Sequence, residues 1–535
     1  MLRKTARSMD HVFIGWFVAI SCIAGLRIAW IRRRNAGVGW VVLLGFVLLI
    51  DIAGWFFGKK PLIYVAGLTW LLLVFVPGLL AALCHRRLLQ QRFAEARQLA
   101  RVISWLHPVD GWREQPEIIH AMALADANDI SAASEVLNRY RTSNSPMTMV
   151  AMPILYRITN DWEGFIGWEK DHREEVERDP QLLPALLRAR GETGDWQGLF
   201  DLYERRRSEV QRLAPRSMGD LCRLMIFAFG GRRDLAESLF KGNLRLLPQA
   251  IQKFWLATAD LAAGGSDDAR RQFEQLLSEA DPSTRRAIER RLKQSSKVPQ
   301  PLSAEAGRVL ESAALELSHE ERFRTQPGRL FKRARATQLL IVVNVVMFAA
   351  EMFFGGSYDF DTLYNLGALY PEAVRAGEWW RLFASLFLHY GPFHIAINMT
   401  ALWLLGPFVE SALGSLKFLL VYLLSGLGSM VFVMEVASGP AAYQLTVGAS
   451  GGVMALVGAT AALMLRGWLR EKAVAAKKGL LAMAFIAATQ TLFDAFVPNV
   501  SMTGHLSGAI LGFIVTMILS RQIISGHGGC QDKGL

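Results

Sequence analysis

Gly448-Ala449-Ser450-Gly451-Gly452 lies inside one apolar run, and Gly504-His505-Leu506-Ser507-Gly508 lies inside another. Each run is long enough to cross a bilayer, which takes about 20 mostly apolar residues. A nucleophile and a base are costly in lipid, so each marks a functional site by default. Both motifs fall in the last third of the 535-residue chain.

Six apolar runs contain or surround them, at roughly residues 339–354, 386–409, 416–436, 447–465, 480–497 and 505–524. The connecting segments alternate in charge. Arg329, Lys332, Arg333, Arg335, Lys417, Arg470, Lys472, Lys477 and Arg521 fall on one side; Arg375 and Arg381 are alone on the other. The positive-inside rule then puts both ends of the bundle in the cytoplasm. Ser450, near the start of the fourth run, and His505, opening the sixth, come out at similar depth near the non-cytoplasmic face.

Peptide hydrolysis by serine needs an activated hydroxyl, a base, an oxyanion stabiliser and water. Ser450 and His505 supply the first two. No acidic third member is evident. Asp494 is nearest in sequence, but it lies toward the outer end of the fifth run and reads equally as a pore or packing residue. A Ser–His dyad therefore fits better than a triad. Gly448, Gly451 and Gly458 are placed to face Gly508 and Gly512, and small residues at such spacing let helices pack at close range. His394 and Asn398 are four apart, so a helix carries them on one face. Both can donate hydrogen bonds to a developing oxyanion. With His389, they would also help water to enter.

The ordered set Trp380-Arg381, His394-x-x-x-Asn398, Gly448-Ala449-Ser450-Gly451 and His505-x-x-Gly508-x-x-x-Gly512 resembles the rhomboid intramembrane serine proteases over about residues 336–524. The resemblance implies Ser450 as nucleophile, His505 as general base, and an oxyanion hole of His394, Asn398 and the Ser450 amide. It implies that Trp380-Arg381 belongs to a first loop that shapes the fold, and that the substrate is a transmembrane helix cut near the membrane surface. Some members carry an aromatic residue four positions after the serine; here Met454 stands there. The family pattern is silent on the chain before residue 336.

Composition agrees with a membrane protein that has a sizeable soluble part: 52% hydrophobic, 20% charged, formal net charge +12. The basic residues flank apolar runs, which points to topology rather than to nucleic acid. Cys22, Cys84, Cys222 and Cys530 match no metal-ligand spacing, so neither a zinc site nor a disulfide framework is expected, and no cofactor. Residues 1–85 hold three further runs, near 12–31, 38–57 and 62–83, read as membrane anchors rather than a cleaved leader. Their charges, with Arg32, Arg33, Arg34, Arg86 and Arg87 on one side, suit a bacterial inner membrane.

Between residues 86 and 298 the pattern turns amphipathic. A small or Gly/Asn turn followed by aspartate recurs at Asp129, Asp161, Asp195, Asp234 and Asp267. A helix before each turn and a helix opening with Asp after it make a helical hairpin. The period near 34 residues resembles tetratricopeptide repeats, whose stacked hairpins form a groove for a protein or peptide partner. Residues 299–335 read as a linker and 526–535 as a tail. The fold expected is thus an all-α polytopic membrane protein: three N-terminal spans, a helical-repeat domain and a six-helix bundle (336–525). The function expected is cleavage of transmembrane protein substrates. The alternatives are an inactive binder of membrane helices and a membrane-anchored repeat scaffold.

Overall fold

A computed structural model describes residues 2–32, 38–141, 145, 147–294, 302–323, 327–438, 443–497 and 501–520. Arg33, Arg34, Arg521, Cys530 and the tail 526–535 lie outside them. The protein is helical, and among the described residues nine helices are long and apolar enough to cross a membrane. It is an integral membrane protein. The chain forms two compact units, residues 14–314 and residues 315–535 with 1–13.

The first unit begins with the N-terminal membrane helices. Val18, Cys22, Leu44, Val47 and Ala66 form their buried contact, and Trp70 Nε1 donates to Ser21 Oγ at 3.0 Å. The third span runs over Lys60–Leu89, longer than the 62–83 read from hydropathy. It contains a π turn at Leu71–Phe75, just ahead of Pro77. Proline offers no N–H to the carbonyl four residues back, which loosens the ladder at that place.

Five helix pairs follow: Gln115–Asp126 with Ile130–Asn138, Thr148–Thr159 with Trp162–Asp171, Leu183–Thr193 with Trp196–Arg205, Arg216–Phe229 with Arg233–Lys241, and Gln249–Ala262 with Ser266–Leu276. Three of the five aspartates are N-caps. Asp129, Asp161 and Asp195 accept from the N–H of Ala132, Gly164 and Gly198 at 3.0, 2.9 and 3.0 Å. Asp234 and Asp267 sit inside the first turn, where they complement the helix dipole.

A further helix, Pro282–Gln294, crosses the turn ends of successive pairs. Arg286 donates to Asn128 Oδ1 (3.4 Å), and Arg290 donates to the carbonyls of Asn160 (3.2 Å) and Glu192 (3.4 Å). Arg291 pairs with Glu192 at 3.1 Å and stacks 4.8 Å over the Phe229 ring. Carbonyl ends of helices carry partial negative charge, so a basic helix is held there. Burial pushes the nearby Arg157 guanidinium down to about 10. Within the segment read as a linker, Ala304–Phe323 is a helix that buries Ala306, Val309, Leu310 and Ala313.

The second unit holds six long helices: α1 (Arg335–Phe354), α2 (Pro392–Leu413), α3 (Ser415–Val436), α4 (Ser450–Glu471), α5 (Val474–Phe496) and α6 (Met502–Leu519). α4 is the centre of the bundle, packed against α2, α3, α5 and α6. α2 starts at Pro392 rather than near 386. Gly391, at φ +91°, ends the preceding loop, and proline is preorganised for the first helical position. α6 starts at Met502, capped by Ser501 accepting from the Gly504 N–H at 3.1 Å. His505 is thus its fourth residue.

Candidate active site

Between α1 and α2 the chain folds into short helices at Phe360–Leu366, Pro371–Arg375 and Arg381–Ala384. The buried Arg381 ties this loop together. Its Nη1 donates to the carbonyls of Tyr364 (2.6 Å) and Ala368 (3.2 Å), and its Nε donates to Glu378 Oε2 (2.6 Å). Its guanidinium lies 4.0 Å from the Tyr364 ring centroid and 4.9 Å from that of Trp380. A planar fork suits this mixture of carbonyl, carboxylate and ring partners better than lysine would. Trp380 covers Gly367, where φ is +102° and no Cβ would fit.

The segment leading into α4 is fastened to that loop. Leu369 and Thr446 exchange N–H···O bonds at 3.0 and 2.9 Å, and the Gly448 N–H donates to the Ser385 carbonyl at 2.9 Å. Gly448 has φ +138°, which favours glycine. A Cβ there would sit 2.8 Å from His394 Cε1, 3.1 Å from His394 Nε2 and 3.4 Å from Ser450 Oγ. Gly448 therefore leaves room for a hydroxyl and an imidazole to flank it. It does not face Gly508 and Gly512, which lie against Gly451 and Ala455; α4 begins only at Ser450.

The tautomer of His394 follows from its neighbour. Its Nδ1 accepts from the Tyr390 N–H (3.3 Å), so the proton resides on Nε2, the nitrogen beside Gly448. Asn398, one turn along α2, is buried and donates one amide hydrogen to the His394 carbonyl (3.0 Å). Its second amide hydrogen is not used by that bond. Ser450 opens α4. The first N–H groups of a helix have no partner within it, and the peptide dipoles leave partial positive charge there. His389 is fully buried, with its ring 5.3 Å from that of His394.

Glycines let α6 approach α4. A Cβ on Gly508 would overlap the Gly451 carbonyl and lie 3.2 Å from Gly451 Cα; one on Gly458 would overlap the Ala509 carbonyl and lie 2.8 Å from Phe513 N. Gly512 lies in the same way against Ala455. Gly451 has a second role, since its missing Cβ would collide with Ser429 Oγ of α3. Ser450 and His505 thus stand one residue and three residues from one backbone contact, Gly451 with Gly508. Among the described residues no hydrogen bond joins Ser450 to His505.

The contact that sequence did not anticipate lies behind the histidine. Asp494 Oδ2 is 2.8 Å from His505 Nδ1, and Gln490 Nε2 donates to Asp494 Oδ1 at 2.7 Å. Met454 is buried with Val457 and Met483, in the apolar cluster that α4 shares with α5. Among the described residues no group of three or more His, Cys, Asp or Glu is arranged to hold a metal.

A family model described as the Rhomboid domain matches residues 376–522, the span from the loop before Arg381 through α6. The putative rhomboid protease YdcA of Bacillus subtilis (strain 168) is 31% identical over 160 residues, 30% of this chain and 74% of that protein. The chain belongs to the rhomboid family. Rhomboid protease GluP of the same organism is 32% identical over 208 residues, covering 38% of this chain and 39% of GluP. RHOMBOID-like protein 5 of Arabidopsis thaliana is 32% identical over 160 residues, covering 30% of this chain and 50% of that protein. The alignment thus spans half or less of the length of these two rhomboid relatives.

Proposed function

We propose that the bundle is an intramembrane serine endopeptidase that cuts transmembrane-helix substrates near the non-cytoplasmic membrane face. Ser450 Oγ attacks the scissile carbonyl carbon. His505 takes the hydroxyl proton and returns it to the leaving amine. The oxyanion is held by His394 Nε2–H, the Asn398 amide and the Ser450 N–H. Water then hydrolyses the acyl-enzyme by the same route in reverse. The observation that carries this reading is the pair of groups flanking Gly448: a serine hydroxyl at a helix N-terminus, and an imidazole whose Nε2–H is free on that side. Preorganised donors aimed at developing charge are commonly the largest single contribution to such catalysis.

The loop charges support a plasma-membrane protein, bacterial in type, with the active site opening to the non-cytoplasmic side and residues 86–298 in the cytoplasm. In that orientation the helix pairs cannot touch the scissile bond, and their role is to recruit partners or the cytosolic end of a substrate. A partner would meet the Pro282–Gln294 helix there.

The test is labelling of the full chain in membranes by a serine-directed fluorophosphonate, alongside cleavage of a single-span reporter. Ser450→Ala abolishes labelling, and His505→Ala lowers it by roughly a hundredfold or more, as loss of a general base does. Removing 86–298 should leave labelling intact and alter only the processing of native substrates. A wild-type chain that neither labels nor cuts would sink the protease reading in favour of a helix-binding role.

A further inference from the structure

Asp494 is an acid inside a membrane helix with its side chain only 1% exposed, and it bonds the nitrogen of His505 opposite the one a general base would use. A carboxylate buried at that depth is expensive unless something there uses it. We infer that Asp494 is a positioning residue for His505, fixing the Nδ1–H tautomer so that Nε2 is free to take the Ser450 proton, and that Gln490 holds Asp494 in register. The inference rests on the dyad reading above and extends it to a relay of α4, α6 and α5.

The geometry constrains each proton. With Asp494 ionised, its carboxylate only accepts hydrogen bonds, and Nδ1 then carries the hydrogen in the 2.8 Å contact with Oδ2. The other oxygen, Oδ1, accepts from Gln490 Nε2 at 2.7 Å, which fixes the amide's orientation by the same rule. Gln490 Nε2 also lies 3.2 Å from His505 Nδ1. Two donors do not bond each other, so that approach is a packing contact. Asp494 thus has one oxygen for the histidine and one for the glutamine. No proton leaves Asp494 in the cycle; it orients the ring and stabilises the imidazolium that forms when Ser450 attacks.

The arrangement makes asparagine a sharper probe than alanine. In Asp494→Asn with Gln490 kept in its wild-type orientation, its N–H draws the Asn oxygen to its own side. The Asn NH2 then faces His505 Nδ1, donates to it, and drives the ring proton onto Nε2. That tautomer cannot accept from Ser450. Removing the Gln490 donor lets the Asn side chain turn over and accept from Nδ1–H again. With Gln490 in that orientation, a suppressor relation links two residues that are not themselves the nucleophile or the base.

The experiment uses the full-length protein in detergent, with fluorophosphonate as the probe and 15N-histidine NMR as the second readout. Asp494→Asn should lower the maximal labelling rate by about a hundredfold or more with the half-saturating probe concentration unchanged, since a misplaced tautomer removes only transition-state stabilisation. Asp494→Asn with Gln490→Ala should regain roughly tenfold of that loss, as expected when the correct tautomer is restored for part of the molecules. The His505 nitrogens, assigned by loss of signal in His505→Ala, should report Nδ1–H in the wild type and Nε2–H in Asp494→Asn. Three results would each overturn the proposal: wild-type labelling in Asp494→Asn, a loss that appears only in probe binding, or no change in the His505 signal. The NMR arm needs no turnover, so a chain that fails to label would refute the protease reading while the tautomer signal still decides this one.

Discussion

The two parts of the chain pack their helices by opposite means. In the middle region, large side chains fill the space between helices. Trp162, Phe165, Leu186, Leu187, Leu199, Phe200, Tyr203 and Phe227 are all buried there. In the bundle, the closest helix contact is made by side chains that are missing: Gly458 and Gly508 bring the backbones of α4 and α6 together. The solvent explains the difference. Water drives apolar surface together, so amphipathic helices with a polar face gain by carrying as much of it as they can on the other. Lipid tails are as apolar as leucine, so membrane helices gain little from large side chains and more from close backbone approach. Close approach is also what brings the serine and histidine motifs to one level, so in the bundle the packing device and the chemistry share residues.

Removing bulk should therefore hurt the middle region most. Phe165 is fully buried, with ring centroids of Tyr156 and Trp168 at 5.5 and 5.7 Å. Phe165→Ala is expected to cost about 3–5 kcal/mol, the usual range for an emptied aromatic site. Protease resistance of the 86–298 region should fall, while fluorophosphonate labelling of Ser450 is retained. Equal loss in both readouts would break the division drawn between the regions.

Adding bulk should hurt the bundle. At Gly458 a single methyl meets the Ala509 carbonyl and Phe513 N, both backbone atoms that cannot turn aside. Gly458→Ala is expected to cost about 1–3 kcal/mol, as overpacking does. Here the expected sign of the readouts reverses, because α6 carries His505: labelling drops and the middle region keeps its protease resistance. Unchanged labelling would mean that the contact between α4 and α6 does not set the geometry of the site.

How much of this was legible in the sequence follows from the same contrast. The membrane helices and the alternating loop charges were readable, because an uncharged apolar run of about 20 residues matches the thickness of a bilayer and is longer than most core helices need. Their ends were not. Residues 386–391 are as apolar as a helix, yet Ser385 is held by the Gly448 N–H and Gly391 turns the chain before Pro392. The pairing of Asp494 with His505 was hidden for a related reason. α5 and α6 are apolar over most of their surface, so their hydrophobic pattern does not reveal which face turns inward. Polar residues in an apolar run announce themselves singly, and only the fold says which of them meet. In the middle region the turn signals were stronger, and Asp129, Asp161 and Asp195 do cap their helices. The helix Ala304–Phe323 escaped because its charged residues mask a narrow buried stripe at Ala306, Val309, Leu310 and Ala313.

The smallest predicted effect is the sharpest form of the comparison, because it makes the same substitution as at Gly458 in the other region. Gly167 lies within the helix Trp162–Asp171, exposed, with nothing within 4 Å of where a Cβ would stand. Its helical backbone is open to alanine, which loses less chain entropy on folding than glycine. Gly167→Ala is therefore expected to stabilise the middle region by about 0.5–1 kcal/mol. Protease resistance of 86–298 would rise slightly, and labelling of Ser450 would not move. One methyl group would thus act with opposite sign in the two regions, and a destabilised Gly167→Ala would show that the glycine there serves a contact other than those described.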